Sequence, residues 1–407
     1  MRRHSMSFLA AAAIALAGAS FVPATARAQA VRPEVGRPLQ AAQELVRAQR
    51  FREALAKVRE ADAVPNKTPG ETSLIERMRL AAASGAGDVD TAARSFDIVG
   101  GQVGAADRLR MIESLAGGYY RAKDYGKAMQ WGQRYFKEGG TSGSVRTLLI
   151  QSQYLSGDFA GAARELRTEV EHAEKGGATP GEDRLKLLAN ATLKMNDTNG
   201  YVWAVERLVT HYPKKEYWVD LLGRLQRKPN FSDRLALDTY RLSLATGSMS
   251  AANDFMEMAQ LALQAGFPAE ARQVVDQGFA SGALGAGKEA ERHGRLRDLV
   301  NKRLEEDRKS QAANVAEAQA AKDGTGLVDA GMNLVFAGDA QKGLQLMRQG
   351  IAKGNLKRPD DAKLHLAIAQ IRAGDHAKAQ ATLRGVGGHD GTADLARLWM
   401  LYAKQRK

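Results

Sequence analysis

The chain has 407 residues, of which 26% are charged, and its formal net charge is +13 at pH 7. It contains no cysteine, which excludes disulfide bonds, thiolate nucleophiles, cysteine metal ligands and a lipid-modified N-terminal cysteine. A basic surplus in a cytosolic chain would suggest nucleic-acid binding, but the export predicted below favours acidic proteins or anionic envelope surfaces as partners, and no nucleic acid.

Residues 1–30 have the order of a secretory signal peptide. Positive charges at Arg2 and Arg3 precede an apolar run from Phe8 to Val22, and small residues lead up to Ala30. The run is short for a bilayer span of roughly twenty residues, so cleavage after Ala30 is favoured over an uncleaved anchor. With the high alanine and arginine content, this predicts a protein in the periplasm of a Gram-negative bacterium, not an integral membrane protein after cleavage.

The remaining chain predicts helices throughout. Alanine, leucine, arginine, glutamine and glutamate fill most segments, and the alternating apolar pattern typical of strands is scarce. Short joints recur between the predicted helices, each with a small residue placed four residues after an aspartate. The clearest joints begin at Gly87-Asp88, Lys123-Asp124, Gly157-Asp158 and Gly374-Asp375. We therefore expect helix-turn-helix repeats and an all-α fold.

The small residues mark the period of these repeats. They are Ala54, Ala92, Ala128, Ala162, Ala204, Ala271, Gly343 and Ala379. Successive anchors lie 34 to 42 residues apart, except for two intervals about twice as long. Prolines before apolar runs between Ala204 and Ala271 predict a further helix pair in the first long interval, and a charged stretch occupies the second.

One unit carries the spacing of a known repeat family. Leu115, Ala116, Tyr119, Tyr125 and Ala128 place a large residue, a small residue and an aromatic on one helix face, and this closely resembles the tetratricopeptide repeat (TPR) family. The small residue lets the second helix approach the first, and the aromatic fills the gap to the next unit. The resemblance implies a right-handed superhelical α-solenoid of about eight or nine units.

The expected organisation has four parts. The signal peptide, 1–30, precedes an N-terminal TPR-like array at 31–285, a charged helical connector or degenerate repeat at 286–322, and C-terminal repeats at 323–407. A terminal helix over Thr392 to Lys404 is expected to cap the array, because a solenoid needs a polar cover on its last face. The connector could be one rigid helix or a hinge.

No motif in the chain supports catalysis. Gly282 to Lys288 follows the spacing of a phosphate-binding loop, but Glu289 stands where a Ser or Thr would ligate magnesium, and the preceding residues predict a helix instead of a strand. The histidines have no paired ligand spacing, and no serine lies in a nucleophile elbow. We expect no catalytic residue, no cofactor, no metal site and no enzymatic activity.

The TPR resemblance does imply a partner-binding groove. In resembling proteins the first helices of successive units line the concave face, and residues beside the packing positions project into it. Transferred to this chain, the groove comprises Arg110, Glu113, Gly117, Tyr120 and Arg121 of the third unit with Thr147, Gln151 and Tyr154 of the fourth. Aromatic and arginine side chains are typical of such surfaces. The competing interpretation is that Tyr120 and Tyr154 only fill space between units.

Three functions are compatible with this pattern. The first is a non-enzymatic scaffold that binds a peptide or a helix of an envelope protein complex through the concave face. The alternative is a cell-wall or envelope-polysaccharide binding protein, in which an anionic glycan meets the basic surplus and sugar rings stack on the aromatic cluster near Trp218. The third, a glycan-cleaving enzyme with a helical superhelix, is the weakest, because the repeats leave no room for a separate catalytic domain.

Overall fold

Helices account for all the regular structure in the described part of the chain, residues 31–406 of this computed structural model. The predicted signal peptide, 1–30, lies outside the described residues. The contacts divide the chain into two compact units, Met1–Ser152 and Gln153–Lys407, which we call unit 1 and unit 2. Within residues 31–406 no helix is both long and apolar enough to span a membrane. The all-α prediction is confirmed.

Unit 1 is built from pairs of helices that pack against each other. Its helices are α1 (Pro33–Arg47), α2 (Phe51–Asp62), α3 (Pro69–Ala86), α4 (Val89–Val99), α5 (Ala105–Arg121) and α6 (Tyr125–Lys137), with the boundary to unit 2 inside α7 (Gly143–Ser156). The first helix of each pair also contacts the first helix of the next, α1 with α3 and α3 with α5. This is the neighbour-to-neighbour packing of a helical repeat array.

Unit 2 continues the same pattern with one long helix inserted. Its helices are α8 (Phe159–Lys175), α9 (Glu182–Lys194), α10 (Thr198–His211), α11 (Lys215–Gln226), α12 (Ala236–Ala245), α13 (Ala252–Gln264), α14 (Pro268–Ala280), α15 (Ala290–Ala320), α16 (Thr325–Ala337), α17 (Ala340–Lys353), α18 (Pro359–Arg372), α19 (His376–Leu383) and α20 (Thr392–Lys404). Helix α15 lies within the predicted connector and packs against α13, α14 and α16. The predicted limits at 285 and 323 remain predictions.

The recurring joints have one backbone geometry. The residue before the aspartate has a positive φ, as at Gly87 (76°) and Lys123 (62°), which ends the first helix. The aspartate then caps the second helix: the Asp124 carboxylate accepts a hydrogen bond from the backbone N–H of Lys127 at 3.0 Å. The same cap occurs at Asp88, Asp158, Asp197 and Asp339, whereas the Asp375 side chain makes no capping hydrogen bond. The joint motif is therefore a helix stop joined to a helix start.

The small anchor residues lie where the paired helices are closest. All seven alanines of the predicted series have no exposed surface. At Gly343, the one glycine of the series, the backbones of α16 and α17 approach more closely still. A Cβ on Gly343 would lie 2.5 Å from the carbonyl oxygen of Gly331, and a Cβ on Gly331 would lie 2.5 Å from the carbonyl oxygen of Gly343. Glycine replaces alanine at this anchor because no side-chain atom fits there.

The last helices of unit 2 pack against earlier helices of the same unit, so the unit closes on itself. Helix α20 packs on α18 and α19, where a terminal cap was predicted, and it also contacts α10 and α12. The Arg234 guanidinium forms ion pairs with Asp361 and Asp390, and Lys228 Nζ lies 2.7 Å from the Asp394 carboxylate. The C-terminal helices are therefore tied to the segment from α10 to α12, which the sequence did not indicate.

Candidate functional site

Five of the eight predicted groove residues lie along α5. Arg110, Glu113, Tyr120 and Arg121, with Gly117 between them, recur at the three- and four-residue spacing that places them on one helix face. We call these five residues the α5 surface. Arg110 and Arg121 are exposed, whereas Glu113 and Tyr120 are half-buried. The prediction that these residues bind a partner stays a prediction.

Contacts within unit 1 fix two of these side chains. The Glu113 carboxylate accepts hydrogen bonds from Ser144 Oγ at 3.0 Å and Ser142 Oγ at 3.3 Å, which links α5 to the start of α7. Tyr120 packs edge-on against Tyr125, with ring centroids 5.6 Å apart. Both side chains are therefore held in place before any partner arrives, and the Tyr120 contact lies within one helix pair, α5 with α6.

A narrow cleft opens beside the α5 surface. Its volume is about 260 Å³, and its walls include Ser84, Gly87, Ser114, Gly118 and Arg121. The Arg121 guanidinium lies next to Gly117, where a Cβ would be 3.3 Å from Nη1. Among residues 31–406, no carboxylate forms an ion pair with Arg121. The cleft therefore ends at an exposed cation that has no ion-pair partner among residues 31–406.

The remaining groove residues lie on α7. Thr147 is half-buried and Gln151 is exposed, both in unit 1. Tyr154 belongs to unit 2, where its ring packs edge-on against Phe159 at 5.2 Å. Tyr154 therefore packs against the helix that follows it, α8, and its role in partner binding stays a prediction.

The aromatic cluster near Trp218 is part of the packing of unit 2. Trp218 is 1% exposed, and the face of Trp203 is covered by Arg207, whose guanidinium carbon is 3.4 Å from the ring centroid. The hydroxyl groups of Tyr212 and Tyr217 donate to the Pro180 carbonyl and to Glu182. A buried Trp218 presents no face on which a sugar ring could stack, whereas Trp203, Tyr212 and Tyr217 are half-buried, so the polysaccharide hypothesis stays a prediction.

Sequence reasoning missed a group of buried charges in unit 2. Arg241 on α12 is 4% exposed and donates two hydrogen bonds of 2.6–2.7 Å to the Glu270 carboxylate of α14, which is 1% exposed. A third bond, 2.6 Å long, joins Arg241 to Asp238 one turn earlier. Bidentate pairing of this kind is needed to offset the desolvation of buried charges. The i, i+3 spacing of Asp238 and Arg241 was the one local signal available.

His365 on α18 extends this group. Its Nε2 lies 3.1 Å from the Asp238 carboxylate. Burial would lower the pKa of His365, but the attraction and hydrogen bond of Asp238 outweigh burial, so the pKa is raised. Burial would likewise raise the pKa of Asp238, yet His365 and Arg241 hold it well below its usual range. The Asp329 carboxylate on α16 also raises the pKa of His365 by charge attraction, and burial raises the pKa of Asp329 itself. The raised pKa of His365 and the lowered pKa of Asp238 both favour the charged forms of the pair.

This pairing predicts how stability depends on pH. Because the pKa of His365 is raised on folding, its contribution is complete below the unfolded value of about 6.5 and is lost as the pH rises through the folded pKa. We expect the urea midpoint of unit 2 to fall as the pH rises above about 6.5, and His365→Gln to abolish most of that fall.

The control for this measurement is His389→Gln, which removes an exposed histidine of the same unit. It should keep the pH dependence of the unaltered chain. Equal pH slopes for the unaltered chain and His365→Gln would show that the pairing with Asp238 does not contribute to folding.

Comparisons with known proteins concern the fold. No protein-family model and no curated protein match the chain. Solved structures similar to it include the TPR2AB domain–pHSP90 complex of yeast Sti1, at 12% identity over 73% of this chain and 99% of that chain, with a TM-score of 0.24. Yeast Tom70 is 10% identical over 91% of this chain and 96% of its own, with a TM-score of 0.23. The TPR domain of P58(IPK) is 11% identical over 91% of this chain and 98% of its own, with a TM-score of 0.22. Two of these names state the family that the sequence resembles. Such low identities and TM-scores support no inference about function, and the TPR-like fold stands on the helix pairs, joints and anchors described above.

Proposed function

We propose that the chain is a non-enzymatic periplasmic scaffold, and that the α5 surface binds a peptide or a helix of an envelope protein complex. The observation that carries this is the exposed Arg121, which has no ion-pair partner in residues 31–406 and borders a cleft. On the same face of α5 lie the Tyr120 ring and, about two turns earlier, the Glu113 carboxylate, both held in place by contacts within unit 1. Pre-positioned aromatic and arginine side chains next to a cleft favour protein recognition over diffuse charge attraction.

The chemistry of the surface favours a partner with acidic and apolar groups. Arg110 is already paired with Asp107 one turn away, so Arg121 is the cation with unused hydrogen-bonding capacity. A carboxylate of the partner can take a bidentate bond from Arg121, while an apolar side chain enters the cleft beside it. Glu113 would remain bound to Ser142 and Ser144 and shape one border of the contact. The periplasmic location rests on the sequence of residues 1–30.

Cross-linking in living cells tests the location of the partner. With a photoreactive residue at position 120, which leaves Arg121 in place, we expect a discrete protein adduct that is lost when Arg121→Ala is added. The same residue at position 130, exposed on α6, should give no such adduct. Adducts of equal yield at both positions, or none at 120, would contradict the proposal, and a glycan adduct would favour the cell-wall alternative.

Once the partner is identified, the purified proteins give the affinity. We expect Arg121→Ala to weaken binding about tenfold, the effect of losing a central arginine from an interface. Lys137→Ala removes an exposed cation from the end of α6 and should leave the affinity unchanged. Because Tyr120 packs on Tyr125, the thermal midpoint of Tyr120→Ala must be measured alongside its binding.

A further inference from the structure

A second cavity lies wholly within unit 2, where the unit closes on itself. Its volume is about 490 Å³, within the range of roughly 300–1,000 Å³ that small-molecule sites occupy. Residues from α12, α13, α14, α16, α18, α19 and α20 contribute to its walls. The apolar part of the lining is Leu244, Met258, Val274, Phe336, Ile368 and Ile371. These side chains offer a surface suited to an aliphatic or aromatic group.

The charged side chains of the lining are Arg241, Arg372, Arg406 and the Glu270 carboxylate, so positive charge is in excess. Arg241 and Glu270 both line the cavity, but they form an ion pair with each other. Arg372 lines the same cavity, lies over the Phe336 ring at 4.6 Å and donates to the Gln273 side-chain oxygen. No carboxylate in residues 31–406 forms an ion pair with Arg372. An exposed guanidinium held against an aromatic ring at the edge of an apolar cavity favours an anionic ligand group.

Two polar atoms in the lining lack partners. Trp399 is 2% exposed, and its Nε1–H finds no acceptor in the described part of the chain. His376 Nδ1 is also buried without a hydrogen-bond partner there. Buried donors and acceptors are usually paired, and an orphan costs stability unless something supplies the missing partner. Both residues border the cavity, so a ligand is the natural source of an acceptor for Trp399.

We propose that this cavity binds a small amphipathic carboxylate. The carboxylate pairs with Arg372, and a lone pair of the ligand takes the Nε1–H of Trp399. The apolar body lies against Phe336, Met258 and the aliphatic side chains of α18. This site is in unit 2 and does not depend on the peptide-binding role proposed for the α5 surface of unit 1.

Calorimetric titration with decanoate, kept below its micellar concentration, tests the proposal on the whole mature chain. We expect saturable binding of one decanoate per chain and weaker binding of decanol, which has the same chain length and no charge. Arg372→Met should weaken decanoate binding about tenfold, as expected for the loss of a charge-assisted hydrogen bond, and should not weaken decanol binding.

A matched control separates the site from general charge. Arg384→Met makes the same change of charge at an exposed position of unit 2 outside the cavity and should bind decanoate normally. Trp399→Phe keeps the ring packing, removes Nε1–H and should weaken decanoate binding several-fold. Absence of saturable binding, equal affinity for decanoate and decanol, or unchanged decanoate binding in a folded Arg372→Met protein would each overturn the proposal.

Discussion

Arg241→Met is expected to lower the free energy of unfolding of unit 2 by about 3–5 kcal/mol. The substitution leaves Glu270, which is 1% exposed, without its guanidinium partner, and Asp238 keeps only His365. A buried carboxylate without a counter-charge must either remain desolvated or take up a proton, and both lower stability. Urea unfolding followed by tryptophan fluorescence would measure the loss, since Trp218 and Trp399 are buried in this unit.

Two further variants serve as controls for the loss of unfolding free energy in Arg241→Met. Arg295→Met removes an arginine that is paired on the exposed face of α15 and should cost no more than about 1 kcal/mol. Combining Arg241→Met with Glu270→Met removes the charge and its partner together and should recover part of the loss. If the single substitution at Arg241 cost less than about 1 kcal/mol, the buried network would not be holding α12 to α14.

Gly343→Ala is the second substitution with a large expected effect. It installs the residue that the other joints use, yet we expect it to destabilise unit 2 by about 2–3 kcal/mol. The new Cβ would lie 2.5 Å from the backbone oxygen of Gly331 and 2.6 Å from a methyl group of Val335, so α16 and α17 must separate. Backbone atoms cannot rotate away as a flexible side chain can.

Gly294→Ala is the matched control for this change. Gly294 lies inside α15, and nothing would come within 4 Å of its Cβ. The same substitution there should be neutral or stabilise the protein by up to about 1 kcal/mol, because alanine favours the helix. Equal effects of the two substitutions on the urea midpoint would mean that the α16–α17 contact is looser than described.

The features that sequence could predict are local. The turn at Lys123-Asp124 combines a residue with positive φ and an N-cap within a few positions, and Ala128 follows at a fixed distance, so a single stretch of sequence specifies the whole joint. The terminal helix α20 was predictable for the same reason, from its own apolar periodicity. The TPR resemblance added the expected order of the helices but no information on which surface is used.

The missed features depend on distant parts of the chain. Arg241 and Glu270 are separated by 29 residues, and Asp238 and His365 by 127. No local pattern distinguishes these charges from ordinary exposed ones, because their burial arises only when α18 packs back towards α12. The cavity near Arg372 has the same origin. A sequence read as an open array of repeats therefore predicted the α5 surface as a candidate and gave no indication of the site in unit 2.

The ion pairs of Arg234 bear on how unit 2 folds. In an open array each repeat depends on its neighbours alone, so folding can begin anywhere and spread. Here Arg234 is paired with Asp390, 156 residues later, and Gln405 donates to the Val209 carbonyl across 196 residues. Closing such long loops costs conformational entropy before the contacts that stabilise the closed state can form. Folding is slower for that reason. The last helix must therefore be synthesised before the unit can complete its structure, which makes unit 2 a single cooperative block in place of a series of independent repeats.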